Sequence, residues 1–286
     1  MTSGESVMQL TDAAVLREDV QMVAGHSLTV QMDIVLKIVP VVLEQRQRKK
    51  LKVGHTSNYC IETHDLSFGY GRSKKVFSSL NLKIPEGSVF GILGPNGSGK
   101  STIFKLFLHL VKALSGSISY WGDTNWSPSL FYRIAGTVDA PAYYPHLTVL
   151  EHFEMLDIIF RKGKGHIEDI LELVDLTSEN DRKAGKLSFG MKQRLAIGLA
   201  LFRDPDILIL DEPINGLDPN GIIDMRSLFQ KIHSMEKTII TSGHVISEME
   251  KVCSHIGIIE SGEILYQGAA PENESLESFY LRHTSK

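Results

Sequence analysis

The sequence lacks long hydrophobic runs and a secretory leader. No stretch reaches the roughly 18 uninterrupted apolar residues of a membrane-spanning helix, and residues 1–10 lack the basic start and apolar core of a signal peptide. The most apolar segment, residues 30–43, is short and contains Asp33, Lys37 and Pro40. These absences predict a cytoplasmic protein without a membrane span of its own.

Cysteine is scarce, and there is no excess of basic residues. Only Cys60 and Cys253 occur, too few for a disulfide framework or a cysteine metal cluster. We expect both to be small buried side chains in a reducing compartment. The 30 Lys and Arg residues stand against 34 Asp and Glu residues, a net charge of −4. Nucleic-acid-binding proteins usually have a basic balance, so we predict no nucleic-acid partner.

The remaining composition is that of a globular protein, with 42% hydrophobic and 22% charged residues. Strands and helices alternate over residues 59–286, which predicts an α/β domain built on a mixed sheet with flanking helices. The predicted strands are 61–68, 80–84, 88–93, 207–210, 238–241 and 262–267. Between them, residues 149–160 and 167–176 show 3.6-residue apolar spacing. We therefore predict an α-helical insert subdomain over residues 143–199.

Residues 1–58 form a leading segment of unknown role, which ends in the basic run EQRQRKKLK at 44–52. Three interpretations stay open. The segment is a dispensable or wrongly assigned start, a small element that packs on the domain, or a basic contact with a membrane surface.

A glycine-rich loop directly follows the predicted strand at 88–93. Its sequence, GPNGSGKST, fits the pattern G-x-x-x-x-G-K-S/T. Glycines let backbone N–H groups turn toward phosphates, and the start of the next helix adds positive potential. Lys100 would place a cation on the terminal phosphates, and the Ser101 hydroxyl is a ligand for Mg²⁺. The predicted nucleotide-binding residues are Gly94, Pro95, Asn96, Gly97, Ser98, Gly99, Lys100, Ser101 and Thr102.

A phosphate-binding loop alone also occurs in kinases and GTPases, although the Asn/Thr-Lys-x-Asp motif of GTPases is missing. Four further motifs follow in order: LSFGMKQ at 187–193, DPDILILDEP at 204–213, GLDP at 216–219 and SGH at 242–244. The ordered set resembles the ATPase subunits of ABC transporters over residues 61 to about 267. The resemblance implies a P-loop NTPase core of the ABC-ATPase type, ATP and Mg²⁺ as cofactors, and ATP hydrolysis coupled to transport.

The resemblance also implies roles for single residues. Asp211, at the end of a buried strand, would bind Mg²⁺. Glu212, which we expect next along that strand and pointing the other way, would polarise the attacking water. His244 would sense the γ-phosphate. Tyr70 lies where family members place an aromatic ring that stacks on adenine, with simple packing as the alternative.

The signature motif is expected to act between two subunits. Its residues Ser188, Phe189, Gly190 and Met191 begin a helix whose N–H groups form an anion site. In the family, that helix end closes over ATP held by a second ATPase subunit. The resemblance therefore implies a dimer with Asp218 along its interface. It also implies a transmembrane permease as partner, with the ATPase peripheral on the cytoplasmic face of the membrane.

Two departures from the family pattern narrow the resemblance. Phe189 replaces a glycine, and Met191 replaces a glutamine whose polar side chain is lost. In the loop before the insert, Asp139 replaces a glutamine that usually reaches Mg²⁺. A carboxylate still binds Mg²⁺, but it adds charge to a site that already holds Asp211 and Glu212.

Together with the following PAYYPHLT segment and the GMKQR sequence, these features resemble the ATPases of lantibiotic-immunity and bacitracin-resistance exporters. The expected substrate is therefore a lantibiotic-like or other antimicrobial peptide. An exporter of drugs, lipids or ions is the alternative. A non-transport ATPase of translation or DNA repair is less favoured, because the chain has one cassette and neither coiled-coil arms nor cysteine clusters.

Overall fold

A computed structural model describes residues 57–70, 74–139 and 142–284 of the chain. Most of the predicted leading segment 1–58, up to residue 56, lies outside the described residues. Two compact units are present. The core unit is formed by the described parts of Gly54–Ala142 and Asp204–Lys286, and the helical unit contains Tyr143–Arg203. The predicted helical insert, 143–199, falls within the second unit.

Strands and helices alternate along the described chain. The strands are β1 (Tyr59–Tyr70), β2 (Lys74–Leu80), β3 (Lys83–Pro85), β4 (Val89–Leu93), β5 (Ser115–Tyr120), β6 (Ile134–Thr137), β7 (Ile207–Leu210), β8 (Thr238–Gly243), β9 (His255–Glu260) and β10 (Glu263–Ala269). The helices are α1 (Lys100–Phe107), α2 (Pro128–Arg133), α3 (Val149–Phe160), α4 (Lys164–Leu173), α5 (Phe189–Leu201), α6 (Pro219–Ser234), α7 (Ile246–Glu250) and α8 (Leu276–Thr284).

The main sheet of the core unit has the strand order β10-β9-β4-β8-β7-β6. The pairs from β9 to β6 are parallel, and β10 is antiparallel to β9. Every residue of β4, β7 and β8 is buried, as expected for apolar strands covered on both faces. Because β4, β6, β7 and β8 run parallel, the loops that follow them leave the sheet at the same edge, where α/β proteins bind ligands.

The second sheet is antiparallel and is organised around β1, which pairs with β2, β3 and β5. The predicted single strand at 80–84 is wrong, because β2 ends at Leu80 and β3 begins at Lys83. The Thr63 side chain explains the break. Its hydroxyl donates to the Leu80 carbonyl at 2.9 Å and accepts from the Leu82 N–H at 2.8 Å, so it satisfies backbone groups on both sides of the interruption.

In the helical unit, the bounds of one helix agree with the prediction from sequence and those of another differ. Helix α3 has the predicted bounds, and Thr148 and Glu151 form a capping box at its start. Helix α4 begins three residues earlier than predicted, after Gly163, and also ends three residues earlier. Asp175, with φ 52°, adopts a left-handed conformation that a continuing helix does not allow.

The described residues bear on the membrane span and on the two cysteines. None of the described helices is long and apolar enough to cross a membrane. Cys60 and Cys253 are both free thiols in the core unit, and burial raises the pKa of each to about 12. They therefore behave as small apolar side chains, as expected.

Candidate functional site

The phosphate-binding loop connects β4 to α1 at the edge where the parallel strands end. Gly94 is buried, and a Cβ there would clash with the carbonyl oxygen of Ile259. Gly99 has φ 105°, and a Cβ there would come within 2.8 Å of the Val76 side chain. Only glycine fits both positions without strain. The tip between them, Pro95, Asn96 and Gly97, is exposed.

Lys100 is folded back over this loop. Its Nζ donates to the Gly94 carbonyl at 2.8 Å and to the Pro95 carbonyl at 3.0 Å, and the residue is only 5% exposed. Burial lowers the pKa of Lys100, and the negative charges of Glu212 and Asp211 act in the opposite direction. The loop therefore holds a cation that is shielded from solvent and close enough to both carboxylates to feel their charge.

Three further loop and helix residues extend the site. Ser98 is buried, and its hydroxyl has no hydrogen-bond partner among the described residues. Ser101 is half-buried and Thr102 is buried in the first turn of α1. The Tyr70 hydroxyl lies 3.4 Å from the Thr102 hydroxyl, while 53% of Tyr70 remains exposed. Its ring, packed edge-on against Phe68, is thus presented beside the start of α1.

The two carboxylates of the DEP motif follow β7 directly. The Asp211 N–H donates to the Thr137 carbonyl at 3.0 Å and continues the strand pairing by one residue. Glu212 does not continue the strand, because its φ of 47° is left-handed. The expectation that Glu212 points the other way along an extended strand is therefore wrong. A turn at Glu212, not strand alternation, separates the two side chains.

Ser242, at the end of β8, ties the two acids together. Its hydroxyl donates to Asp211 Oδ1 at 2.6 Å and accepts from the Glu212 N–H at 2.9 Å, and the residue is fully buried. The Glu212 carboxylate accepts a hydrogen bond from the Asn215 side chain, with 3.0 Å between Nδ2 and Oε2. The same oxygen lies 3.6 Å from Nδ1 of His244. The structure thus brings Asp211, Glu212 and His244 close together.

Sequence reasoning did not assign the positioning roles of Ser242 and Asn215. Ser242 belongs to the SGH motif, but its two contacts lie 30 and 31 positions back along the chain. No local spacing signals them. Asn215 lies within reach of Glu212 only because the left-handed turn at Glu212 brings the chain back on itself, with the Asn215 N–H donating to the Glu212 carbonyl at 3.1 Å.

We expect Ser242→Ala to lower ATP hydrolysis by about tenfold or more, with a smaller effect on nucleotide binding. Removing the hydroxyl leaves the Glu212 N–H without its acceptor and Asp211 without its donor, and tenfold or greater losses are typical when a group behind a metal ligand is removed, the role that the resemblance implies for Asp211. Steady-state kinetics and equilibrium binding measure the two effects separately. Ser234→Ala, at an exposed serine of α6, is the matched control. Equal turnover in both variants would contradict the positioning role.

Asp139 lies two residues after β6, at the same sheet edge as Asp211. Its φ is 68°, and its carboxylate forms an ion pair with Lys105 of α1, with 2.9 Å between Nζ and Oδ2. Asp218 caps α6, with Oδ1 accepting from the Gly221 N–H at 2.8 Å, and it is exposed. Both predicted residues therefore belong to the core unit.

The signature residues belong to the helical unit. Ser188 caps α5, and its hydroxyl accepts from the Met191 N–H at 3.3 Å. Phe189 is 48% exposed, and Gly190 and Met191 are half-buried. The helix start predicted for this motif is confirmed, and the apolar ring of Phe189 is presented to solvent at that start.

Comparison with known proteins decides the family. The profile of the ABC transporter family matches residues 77–215. The bacitracin transport ATP-binding protein BcrA of Bacillus licheniformis is 42% identical over 212 residues, which cover 72% of this chain and 68% of that protein. This chain belongs to the ABC transporter ATP-binding proteins. The predicted resemblance is confirmed, and the protein is an ABC ATPase that couples ATP hydrolysis to transport.

Two further similarities support this conclusion for the ABC ATPase. The lantibiotic transport ATP-binding protein SrtF of Streptococcus pyogenes is 34% identical over 220 residues, covering 77% of this chain and 95% of that protein. A solved structure described as the ATP-binding subunit of an ABC transporter matches with a TM-score of 0.70 at 25% identity, covering 79% of this chain and all of that chain. The predicted fold class is confirmed by this match.

Proposed function

We propose that this ABC ATPase energises an exporter that confers immunity or resistance to a lantibiotic-like or bacitracin-like antimicrobial peptide. The carrying observation is the 42% and 34% identity to bacitracin and lantibiotic transport ATP-binding proteins over more than two thirds of the chain. Two sequence features, Asp139 in the loop before the helical unit and the signature LSFGMKQR, support the same subgroup. The partner is a transmembrane permease, which holds the ATPase on the cytoplasmic face of the membrane.

Magnesium is the metal that suits the proposed donor set. Ser101, Asp139 and Asp211 offer a hydroxyl and two carboxylates, and such hard oxygen ligands are preferred by Mg²⁺. Ser242 fixes the orientation of Asp211 through a 2.6 Å hydrogen bond, as expected of a group behind a metal ligand. The metal, when bound, neutralises charge on the phosphates.

Hydrolysis is assigned to Glu212 and His244. Glu212 accepts from Asn215, so its carboxylate is already oriented, and one further hydrogen bond would come from the attacking water. His244, 43% exposed at its side chain and 3.6 Å from Glu212, is placed to contact the γ-phosphate. Lys100 and the N–H groups of the loop hold the phosphates, and Tyr70 stacks on the base.

A second ATPase subunit completes each site in this proposal. The signature helix start, with Ser188 and the backbone of Gly190, supplies phosphate contacts to ATP bound by the other subunit, and Asp218 lies along the shared interface. Exposure of Ser188, Phe189 and Asp218 supports these roles, because residues that must meet a partner should be accessible before assembly.

Expression of this ABC ATPase with its cognate permease should raise the tolerance of a susceptible bacterial host to a lantibiotic or to bacitracin. Glu212→Gln should abolish the protection, because the permease loses its energy source. Asp139→Glu should keep most of it, since the carboxylate remains, and Asp139→Ala should lose much more. The measurement is the minimum inhibitory concentration of each peptide. A pair that protects against none of these peptides, yet moves another solute in vesicles, would contradict the substrate class and leave the ATPase assignment intact.

A further inference from the structure

The acidic loop residue Asp139 has a cationic partner outside the sequence motifs, Lys105 of α1. Lys105, five residues after Lys100 on α1, places its Nζ 2.9 Å from Asp139 Oδ2. The side chains are unequally exposed, 24% for Lys105 and 62% for Asp139. The lysine is thus fixed on the helix that begins at the phosphate-binding loop, and the carboxylate reaches it from the loop after β6.

This ion pair faces the same region as the proposed metal ligand and base-stacking ring. The hydrogen bond to Asp139 raises the pKa of Lys105, burial opposes this shift, and the negative charges of Asp139 and Asp211 add to it. Backbone geometry agrees, because β6 and β7 pair in register up to Thr137 and Leu210, and the Asp211 N–H donates to the Thr137 carbonyl. Lys105 therefore lies within the electrostatic reach of Asp211 while it is paired with Asp139.

The ion pair reduces the negative charge that an incoming triphosphate meets. A triphosphate must enter a site that holds Asp211 and Glu212, and Asp139 adds a third carboxylate. The ion pair with Lys105 offsets that third charge. An exposed ion pair of this kind contributes at most about a fivefold factor to an equilibrium, so a divalent cation that binds several ligands at once would displace the lysine readily.

We propose that Lys105 is a positioning residue that holds the Asp139 carboxylate until Mg²⁺ takes it, so that metal binding at this loop exchanges one cation for another. The proposal rests on the assignment of Asp139 as a metal ligand under the proposed function. Lys105 and Asp139 then act together. Removal of the lysine should weaken the binding of metal-free nucleotide and strengthen the binding of Mg²⁺.

The test uses the full chain and two titrations. ATP binding is measured calorimetrically in EDTA, and Mg²⁺ is then titrated into protein with a fixed concentration of ATP. In Lys105→Met, binding of metal-free ATP should weaken by about fivefold, because Asp139 is left uncompensated. The half-saturating Mg²⁺ concentration should fall by a similar factor, because Mg²⁺ no longer competes with the lysine. In a protein that already carries Asp139→Asn, adding Lys105→Met should change neither the binding of metal-free ATP nor the half-saturating Mg²⁺ concentration.

Two controls keep the result interpretable. Lys112→Met removes an exposed lysine that follows the same helix and should change neither titration. Lys105→Arg preserves the ion pair and should behave like the unaltered chain, which also shows that the helix tolerates substitution at this position.

Three outcomes would overturn the proposal. In the first, Lys105→Met weakens ATP binding by the same factor with and without Mg²⁺, both in the unaltered chain and in Asp139→Asn. That result is expected of a lysine that contacts the nucleotide directly. Lys105 and Asp139 variants could leave the Mg²⁺ titration unchanged while Asp211→Asn shifts it, in which case Asp139 is not a ligand and the rest of the site stands. If Asp211→Asn also leaves Mg²⁺-dependent binding and hydrolysis unchanged, the proposed metal site fails together with this inference.

Discussion

Glu212→Gln is expected to bind MgATP about as tightly as the unaltered protein and to hydrolyse it at least about a hundredfold more slowly. Glutamine has nearly the same shape and can still accept the hydrogen bond from Asn215, which is 3.0 Å from Oε2 of Glu212. It cannot take a proton from the attacking water, and removing a general base typically costs a factor of about 10²–10⁴. Binding by calorimetry and turnover by phosphate release measure the two properties separately.

The same variant should also reveal the proposed dimer. If ATP is held between two subunits and hydrolysis normally releases them, a chain that binds ATP without hydrolysing it should accumulate as a nucleotide-bound dimer in size-exclusion chromatography. Glu263→Gln, at an exposed glutamate of β10, is the matched control. It should hydrolyse ATP and assemble in response to ATP like the unaltered chain. Near-normal turnover in Glu212→Gln would refute the assignment of Glu212 as the base.

The sequence predicted the elements whose signals are local. Strand β7 is a run of four apolar residues and has the predicted bounds, since only a strand buried on both faces suits so short a run. Helix α3 has the bounds that its 3.6-residue apolar spacing predicted, and the structure adds a capping box formed by Thr148 and Glu151 at its start. The phosphate-binding loop was also predictable, because its glycines are required where a Cβ would clash with neighbouring atoms.

Features that depend on distant contacts were not predictable in this way. The break between β2 and β3 arises from the Thr63 hydroxyl, which lies 17 positions before Leu80 in the chain. The alternation rule for strands failed at Glu212, where the chain turns instead and meets the side chain of Ser242. The pairing of Asp139 with Lys105 joins residues on two separate elements. Apolar periodicity carries no information on any of these polar contacts.

Periodicity also sets helix faces better than helix ends. Helix α4 buries Ile167, Ile170 and Leu171, which lie within the predicted range and recur at 3.6-residue spacing. Its ends were misplaced by three residues, since the start follows Gly163 without a side-chain cap and the pattern has no marker for that position.

Lys100→Met should weaken ATP binding by about 30-fold or more. Lys100 is only 5% exposed, and its ammonium donates to the Gly94 and Pro95 carbonyls at 2.8 and 3.0 Å, so the cation is held inside the loop. Methionine keeps most of the length and the apolar stem but supplies no charge. Truncating one partner of a buried, hydrogen-bonded charge pair typically costs about 2–5 kcal/mol, which corresponds to a factor of about 30 or more.

The matched control for this variant is Lys112→Met, which removes an exposed lysine and should leave the affinity unchanged. Burial lowers the pKa of Lys100, while Glu212 and Asp211 oppose that shift, so the carboxylates help to keep the cation charged.

Lys100→Met should also affect the dimer that is expected to accumulate in Glu212→Gln. A chain that carries both changes should no longer accumulate as a dimer, because the nucleotide that bridges the subunits is lost. Unchanged affinity in Lys100→Met by calorimetry would contradict the role of this lysine, and a persistent dimer in the double variant would show that assembly does not depend on bound ATP.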